Sequence, residues 1–89
     1  MHMEIQQTDQ FRKWLHRLRD HAAKARITTR IRQCGLAGQP VGDMHPVGKG
    51  VNELRFFSGP GYRVYFAQKG NQIKLLFGGG EKTGQDKAI

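Results

Sequence analysis

The clearest alternation of apolar and polar residues lies in two runs near the middle of the chain. Residues 51–57 and 62–67 alternate in hydrophobicity, and they flank the turn-forming sequence SGPG at residues 58–61. Two alternating runs separated by a short turn rich in glycine and proline are typical of a β-hairpin. The pattern therefore predicts an antiparallel hairpin over residues 51–67.

The faces of this hairpin follow from the alternation of side chains along a strand. One face collects the apolar residues Leu54, Phe56, Tyr62, Val64 and Phe66. A register that superposes these residues places Arg55 opposite Arg63 or Tyr65, because a slip of one residue buries an arginine beside a phenylalanine. We therefore expect Arg55, Arg63 and Tyr65 on the face that points away from the core.

A third strand is predicted after Gly70-Asn71, a dipeptide that favours two-residue hairpin turns. A turn centred there gives the cross-strand pairs Phe66 with Leu75, Val64 with Phe77, and Tyr65 with Leu76. This register adds Ile73, Leu75 and Phe77 to the core face. It also places Arg63 beside Gly78, so Lys82 becomes a third cation close to the two arginines.

Two helices are predicted before the hairpin, because apolar residues recur there at intervals of three and four. The first apolar stripe consists of Phe11, Trp14, Leu15 and Leu18, and the second of Ala23, Ile27, Ile31 and Cys34. Thr8 or Asp9 is the expected N-cap of the first helix. Asp20 either ends that helix or caps the second, and Gly35 is expected to stop the second helix.

The order of elements defines the expected fold. Residues 3–7 alternate and predict a short first strand, whereas residues 36–50 contain four glycines and two prolines and predict a loop with one short extended piece. The order β-α-α-β-β-β predicts an α+β fold, with two N-terminal helices packed on one face of a small antiparallel sheet and the other face partly open. Residues 1–89 are expected to form a single domain.

Net charge narrows the possible partners. The 89 residues carry a formal charge of +8, which favours an anionic partner such as nucleic acid, a ribosomal surface, an acidic protein or anionic lipid. The positively charged residues of the predicted helices have three possible roles. They form a solvated helix face, a surface that contacts the phosphates of ribosomal RNA, or a surface that binds an acidic protein segment. The candidate RNA-binding residues are Arg12, Lys13, Arg17, Arg19, Lys24, Arg26, Arg30 and Lys49.

Other features of the composition exclude several classes of protein. A single cysteine rules out an internal disulfide framework, and no apolar run approaches the roughly 20 residues that span a bilayer, so we expect a cytoplasmic protein without a membrane partner. The histidines lack the spacing of a zinc site, and we expect no metal or other cofactor. His45 is the one histidine that can approach the hairpin. Glu53 and Lys49 can form an exposed ion pair, which would contribute little to stability.

The hairpin sequence resembles a known family of proteins. The segments VGKGVNELR at residues 47–55 and GPGYRVYF at residues 59–66, together with GGEK at residues 79–82, are similar to the RelE/ParE superfamily of bacterial toxins. Within it, the chain looks most like the addiction-module killer proteins of the HigB-like kind. The resemblance extends over nearly the whole chain.

This resemblance implies a toxin that is held inactive in a heteromeric complex by an antitoxin, typically a helix-turn-helix protein encoded beside it. Many members of the superfamily cleave messenger RNA in the ribosome, whereas the ParE branch inhibits DNA gyrase. A basic RNA-binding module without catalysis is a third possibility. The ribonuclease branch carries basic residues at the positions of Arg55, Arg63 and Lys82. It commonly adds a tyrosine or histidine in the C-terminal segment, and residues 81–89 contain neither.

The catalytic hypothesis from the sequence rests on Arg55, Arg63, Lys82 and Tyr65. The 2′-hydroxyl of RNA can attack the adjacent phosphate without a metal ion, provided that the atoms are aligned and the charge on the phosphate oxygens is stabilised. A planar guanidinium such as that of Arg63 can bind a phosphate through two hydrogen bonds. Tyr65 either orients a base, donates to the phosphate or serves only in packing. Strand arginines can also simply be solvated on an open sheet face.

Overall fold

The computed structural model describes residues 3–56 and 61–80. The elements in chain order are β1 (Glu4–Gln7), α1 (Asp9–Arg17), α2 (His21–Ala37), β2 (Asp43–Gly48), β3 (Val51–Phe56), β4 (Tyr62–Lys69) and β5 (Gln72–Gly80). The five strands form one sheet with the order β1-β5-β4-β3-β2. Within the described ranges, neither helix is long and apolar enough to cross a membrane.

Both helices pack on the same face of this sheet, as predicted. The core contains Leu54, Phe56, Val64, Phe66, Ile73 and Leu75 from the strands and Phe11, Ile27 and Cys34 from the helices. Removal of these apolar side chains from water is the main force that holds the helices on the sheet. The opposite face, which we call the open face, carries the side chains that alternate with the core residues.

The helix ends are set by short polar side chains and by glycine. Thr8 Oγ1 accepts a hydrogen bond from Phe11 N at 3.0 Å, and Asp20 Oδ1 accepts one from Ala23 N at 3.0 Å. The expectation that Gly35 stops α2 is wrong, because the helix continues to Gly38, whose φ of 74° allows the left-handed C-cap.

Gly35 instead serves the packing of β1 against α2. Its carbonyl oxygen accepts a hydrogen bond from Met3 N at 2.9 Å. A Cβ atom at Gly35 would lie 3.5 Å from Ile5 Cγ1 and 3.6 Å from the carbonyl oxygen of Met3. These are ordinary van der Waals distances, so the backbone hydrogen bond, rather than the lack of a side chain, links the start of β1 to α2.

The sheet is mixed, and it contains a strand where we expected mostly loop. β1 pairs with β5 in parallel, which corrects the antiparallel sheet predicted from the sequence. β2 lies at the edge of the sheet, where Pro46 is tolerated because one side of an edge strand needs no hydrogen bonds. Lys49 and Gly50 connect it to β3 with φ values of 56° and 76°, the positive values that a tight hairpin turn requires.

A β-bulge between β4 and β5 changes the predicted register. Phe66 pairs with Leu75, as expected, but Tyr65 pairs with Phe77, so Leu76 is the extra residue on β5. Val64 then lies opposite Gly78, and Arg63 opposite Gly79. The predicted pairs of Val64 with Phe77 and Tyr65 with Leu76 are therefore wrong, as is the position of Arg63 beside Gly78.

The bulge is held by the start of α1. Thr8 Oγ1 donates to the carbonyl oxygen of Leu76 at 2.6 Å, and Thr8 N donates to that of Leu75 at 3.0 Å. Beyond the bulge, the ring of Trp14 covers Gly78. A threonine that caps the helix and also bonds to the strand is a long-range contact, which explains why local sequence patterns did not predict the bulge.

Replacement of Gly78 by alanine should destabilise the fold. A Cβ atom there would lie 2.5 Å from two carbons of the Trp14 ring, so the tryptophan and α1 must move. We expect a loss of about 1–3 kcal/mol in the free energy of unfolding, as for other overpacked sites. Gly79→Ala is the matched control, because its Cβ atom would have no neighbour within 4 Å. Urea denaturation measures the free energy of unfolding of both variants. Equal losses in the two would show that Trp14 does not constrain Gly78.

Candidate functional site

Two arginines meet on the open face of the sheet. Arg55 on β3 pairs with Arg63 on β4 in the antiparallel register, which confirms one of the two predicted arrangements. Their side chains are 36% and 30% exposed, so each arginine is partly accessible to solvent. The two strands therefore place two like charges side by side, on the face that the helices leave open.

A buried carboxylate lies between these arginines. Glu53 is only 3% exposed, and its Oε1 accepts a hydrogen bond from Arg55 Nε at 2.7 Å. Its Oε2 accepts one from Arg63 Nη1 at 2.9 Å and another from Tyr65 Oη at 3.0 Å. The exposed pair of Glu53 with Lys49 suggested by the sequence is therefore wrong, because Glu53 is enclosed by the side chains that flank it on the open face.

The surroundings of Glu53 favour its charged form. Desolvation by burial acts to raise its pKa, but the hydrogen bonds from Arg55 and Tyr65 and the charges of Arg63 and Arg55 outweigh that effect, so the pKa lies below its ordinary value. At neutral pH the carboxylate is ionised. The group of Glu53, Arg55 and Arg63 then carries one net positive charge in a fixed arrangement.

Tyr65 and Phe77 form an aromatic pair beside the arginines. Their ring centroids lie 4.7 Å apart with an angle of 27° between the planes. Because of the bulge, Phe77 is 40% exposed on the open face, and its predicted place in the core is wrong. The hydroxyl of Tyr65 donates to Glu53, which fixes the ring and directs the proton away from solvent.

β2 adds an imidazole and a carboxylate to the same face. His45 lies opposite Glu53 in the register, and Asp43 lies opposite Arg55. His45 Nε2 and Asp43 Oδ1 are 2.6 Å apart. When His45 is neutral, a proton on Nε2 that donates to Asp43 leaves Nδ1 as the basic nitrogen. The sequence had indicated that His45 could approach the hairpin, but Asp43 was missed because β2 was not predicted as a strand.

A basic cleft joins the open face at the end of β3. It has a volume of about 620 Å³ and is lined by Ala25, Arg26, Thr29, Arg30 and Gln33 of α2, with Asp43, Arg55 and Phe56 of the sheet. Arg30 lies over the Phe56 ring, with its guanidinium carbon 5.7 Å from the centroid. The predicted cations Arg26 and Arg30 therefore lie in one cleft with Arg55.

The other predicted cations lie away from this cluster. Arg12, Lys13 and Arg17 line a shallow groove with His16 on α1, on the side of the sheet that the helices cover. Arg12 bonds to the exposed Asp9, Lys24 Nζ donates to the carbonyl oxygen of His16 at 3.2 Å, and Arg19 lies between the helices. Lys49 lies in the turn between β2 and β3. Lys82 falls outside the described residues.

The fold is shared with two solved structures. A chain in the crystal structure of the toxin–antitoxin complex RelBE2 from Mycobacterium tuberculosis matches with a TM-score of 0.65 at 17% sequence identity, over 88% of this chain and 96% of that one. The solution structure of a conserved hypothetical protein from Helicobacter pylori matches with a TM-score of 0.59 at 18% identity, over 90% and 96% of the two chains. The protein therefore shares the α+β fold of these two chains.

A relative is also found by sequence. An uncharacterized protein of Haemophilus influenzae is 38% identical over 89 residues, which are 100% of this chain and 88% of that protein. The chain belongs to the same family as the Haemophilus influenzae protein. No family model matches the sequence.

Proposed function

We propose that the chain is the toxin of a type II toxin–antitoxin system, and that it cleaves messenger RNA on the ribosome without a metal ion. The observation that carries this proposal is the pair of partly exposed arginines held by Glu53 on the open face. One solved structure with the same fold is a chain of a toxin–antitoxin complex. The hairpin sequence also resembles that of HigB-like toxins.

The reaction needs only groups that bind, orient and transfer protons. The 2′-oxygen of the RNA attacks the adjacent phosphorus as its proton leaves, and the bond from phosphorus to the 5′-oxygen breaks as that oxygen gains a proton. The products are a 2′,3′-cyclic phosphate and a 5′-hydroxyl. Donors aimed at the phosphate oxygens stabilise the charge that develops between these states.

Arg63 and Arg55 are the proposed phosphate-binding groups. Arg55 bonds to Glu53 through Nε and Arg63 through Nη1, so the buried carboxylate fixes the orientation of each guanidinium. Fixed orientation lowers the entropic cost of gripping a phosphate. The cleft that Arg55 shares with Arg26 and Arg30 would receive a neighbouring phosphate of the same strand.

His45 is the proposed group for proton transfer among the described residues. It lies on the same face as the arginines, and Asp43 holds its ring in the way that a carboxylate orients a catalytic histidine. Tyr65 is less suited to this task, since its hydroxyl already donates to Glu53. Lys82 follows β5 by two residues, and we propose it as a further cation for the phosphate.

The remaining cations would serve docking and inhibition. We propose that Arg12, Lys13, Arg17, Arg19, Lys24 and Lys49 contact phosphates of 16S ribosomal RNA, with an affinity that falls steeply as salt rises. The partner that restrains the toxin would be a helix-turn-helix antitoxin, with which it forms a heteromeric complex in the cytoplasm. An acidic antitoxin segment would fit the positive open face and block both arginines.

Inhibition of DNA gyrase by binding is the alternative function on this fold. The sequence resemblance implies it for the ParE branch, and binding alone requires no group for proton transfer. Primer extension on cellular messages after brief induction of the chain separates the two. We expect discrete cuts within minutes and no DNA-damage response. Intact messages together with a DNA-damage response would identify a gyrase inhibitor instead.

A further inference from the structure

The aromatic pair on the open face has no role in holding the phosphate. Phe77 is one of the few large apolar side chains in the described residues that is substantially exposed, at 40%. It reaches that face because Leu76 is the extra residue of the bulge, which reverses the side-chain direction after Leu75. Without the bulge, Phe77 would continue the core face with Ile73 and Leu75.

The position of Phe77 relates it directly to the arginines. Its ring stacks on Tyr65, and the Tyr65 hydroxyl shares the Oε2 atom of Glu53 with Arg63. A single carboxylate thus connects the aromatic pair with the proposed phosphate-binding group. The hydrogen bond to Glu53 holds the Tyr65 ring in place, and that ring supports Phe77.

We propose that Phe77, supported by Tyr65, is a stacking site for one nucleobase of the single-stranded RNA whose phosphate is held by Arg55 and Arg63. This inference rests on the proposed function and adds a base subsite to it. An aromatic ring beside guanidinium groups is the arrangement by which proteins bind single strands, with cations on the backbone and rings on the bases. Any base can stack on an aromatic ring. The site would therefore increase affinity and fix the position of the RNA strand, with little preference for sequence.

The test uses the full chain and a short RNA made uncleavable by 2′-O-methyl groups, with binding followed by fluorescence anisotropy. Phe77→Ala should weaken binding about tenfold, as expected for the loss of one stacked base, and Phe77→Trp should keep it. Leu36→Ala, at an apolar residue that is 63% exposed on α2, is the matched control and should bind normally. Thermal unfolding of each variant confirms that it is folded.

Oligonucleotides that lack one base, tested at each position in turn, identify the stacked base. Removal of that base should weaken RNA binding by the wild-type chain about tenfold, and it should not weaken binding by Phe77→Ala any further. Normal RNA binding by Phe77→Ala, with Arg63→Ala impaired, would overturn the stacking site and leave the proposed function standing. Normal binding by Arg63→Ala would contradict the proposed function itself. Impaired binding of the antitoxin alone by Phe77→Ala would show that the ring contacts protein and would also overturn the inference.

Discussion

Replacement of Arg63 by alanine is expected to lower the rate of RNA cleavage at least about a hundredfold, because it removes a charged donor aimed at the phosphate oxygens. Arg55→Ala should act in the same direction, since the two guanidinium groups lie opposite each other in the register. Arg63→Lys should recover only part of the rate. Lysine restores the charge but lacks the planar fork that binds two oxygens at once.

The control for these variants is another arginine of the same chain. Arg32 is exposed on α2, and Arg32→Ala should leave cleavage unchanged. Both kinds of variant can be compared by growth arrest on induction and by the rate at which a message on ribosomes is cut. Full toxicity of Arg63→Ala and Arg55→Ala would remove the basis of the proposed mechanism.

The second large effect is expected at Glu53. Glu53→Gln removes a buried charge that receives hydrogen bonds from Arg55, Arg63 and Tyr65. Loss of one partner of a buried ion pair typically costs about 3–5 kcal/mol. Because the arginine side chains are 36% and 30% exposed and water can solvate them, we expect the lower end, about 3 kcal/mol at neutral pH. Urea unfolding measures this loss, with the exposed Glu4→Gln as control.

The same substitution should change how stability depends on pH. The pKa of Glu53 in the folded chain lies below the ordinary value of 4.5, so the unfolded chain binds more protons between these two pKa values. The stabilisation by Glu53 is therefore complete above the unfolded pKa and is lost as pH falls through the folded one. The difference between wild type and Glu53→Gln should shrink in that range. A constant difference from neutral to acidic pH would show that the charge of Glu53 does not stabilise the fold.

The facing pair of arginines could be predicted from the sequence because alternation within two strands determines it. Leu54, Phe56, Val64 and Phe66 must share the buried face, and this requirement alone directs Arg55 and Arg63 to the other. The helix stripes were predictable for the same reason. Each of these inferences combines the spacing of apolar residues along the chain, every second residue in a strand or every third and fourth in a helix, with the burial of those side chains.

What the sequence did not reveal depends on contacts between distant residues. The bulge at Leu76 is fixed by Thr8, far away in the chain, and it moves Phe77 from the core to the open face. Glu53 looked like an ordinary exposed strand residue until the register placed Arg63 and Tyr65 beside it. The glycines and proline around Asp43 and His45 predicted a loop, so the two residues were not placed on the sheet. The segment in fact pairs with β3 as an edge strand.

Analysis of the cut RNA ends is the most direct test of attack by the RNA 2′-hydroxyl on the open face. A defined message on ribosomes is incubated with the purified chain, and the chemical groups at the cut ends are identified by mass spectrometry. We predict a 2′,3′-cyclic phosphate on the upstream fragment and a 5′-hydroxyl on the downstream one, with neither formed by Arg63→Ala. Intact messages, or ends with a 5′-phosphate and a 3′-hydroxyl, would contradict the mechanism.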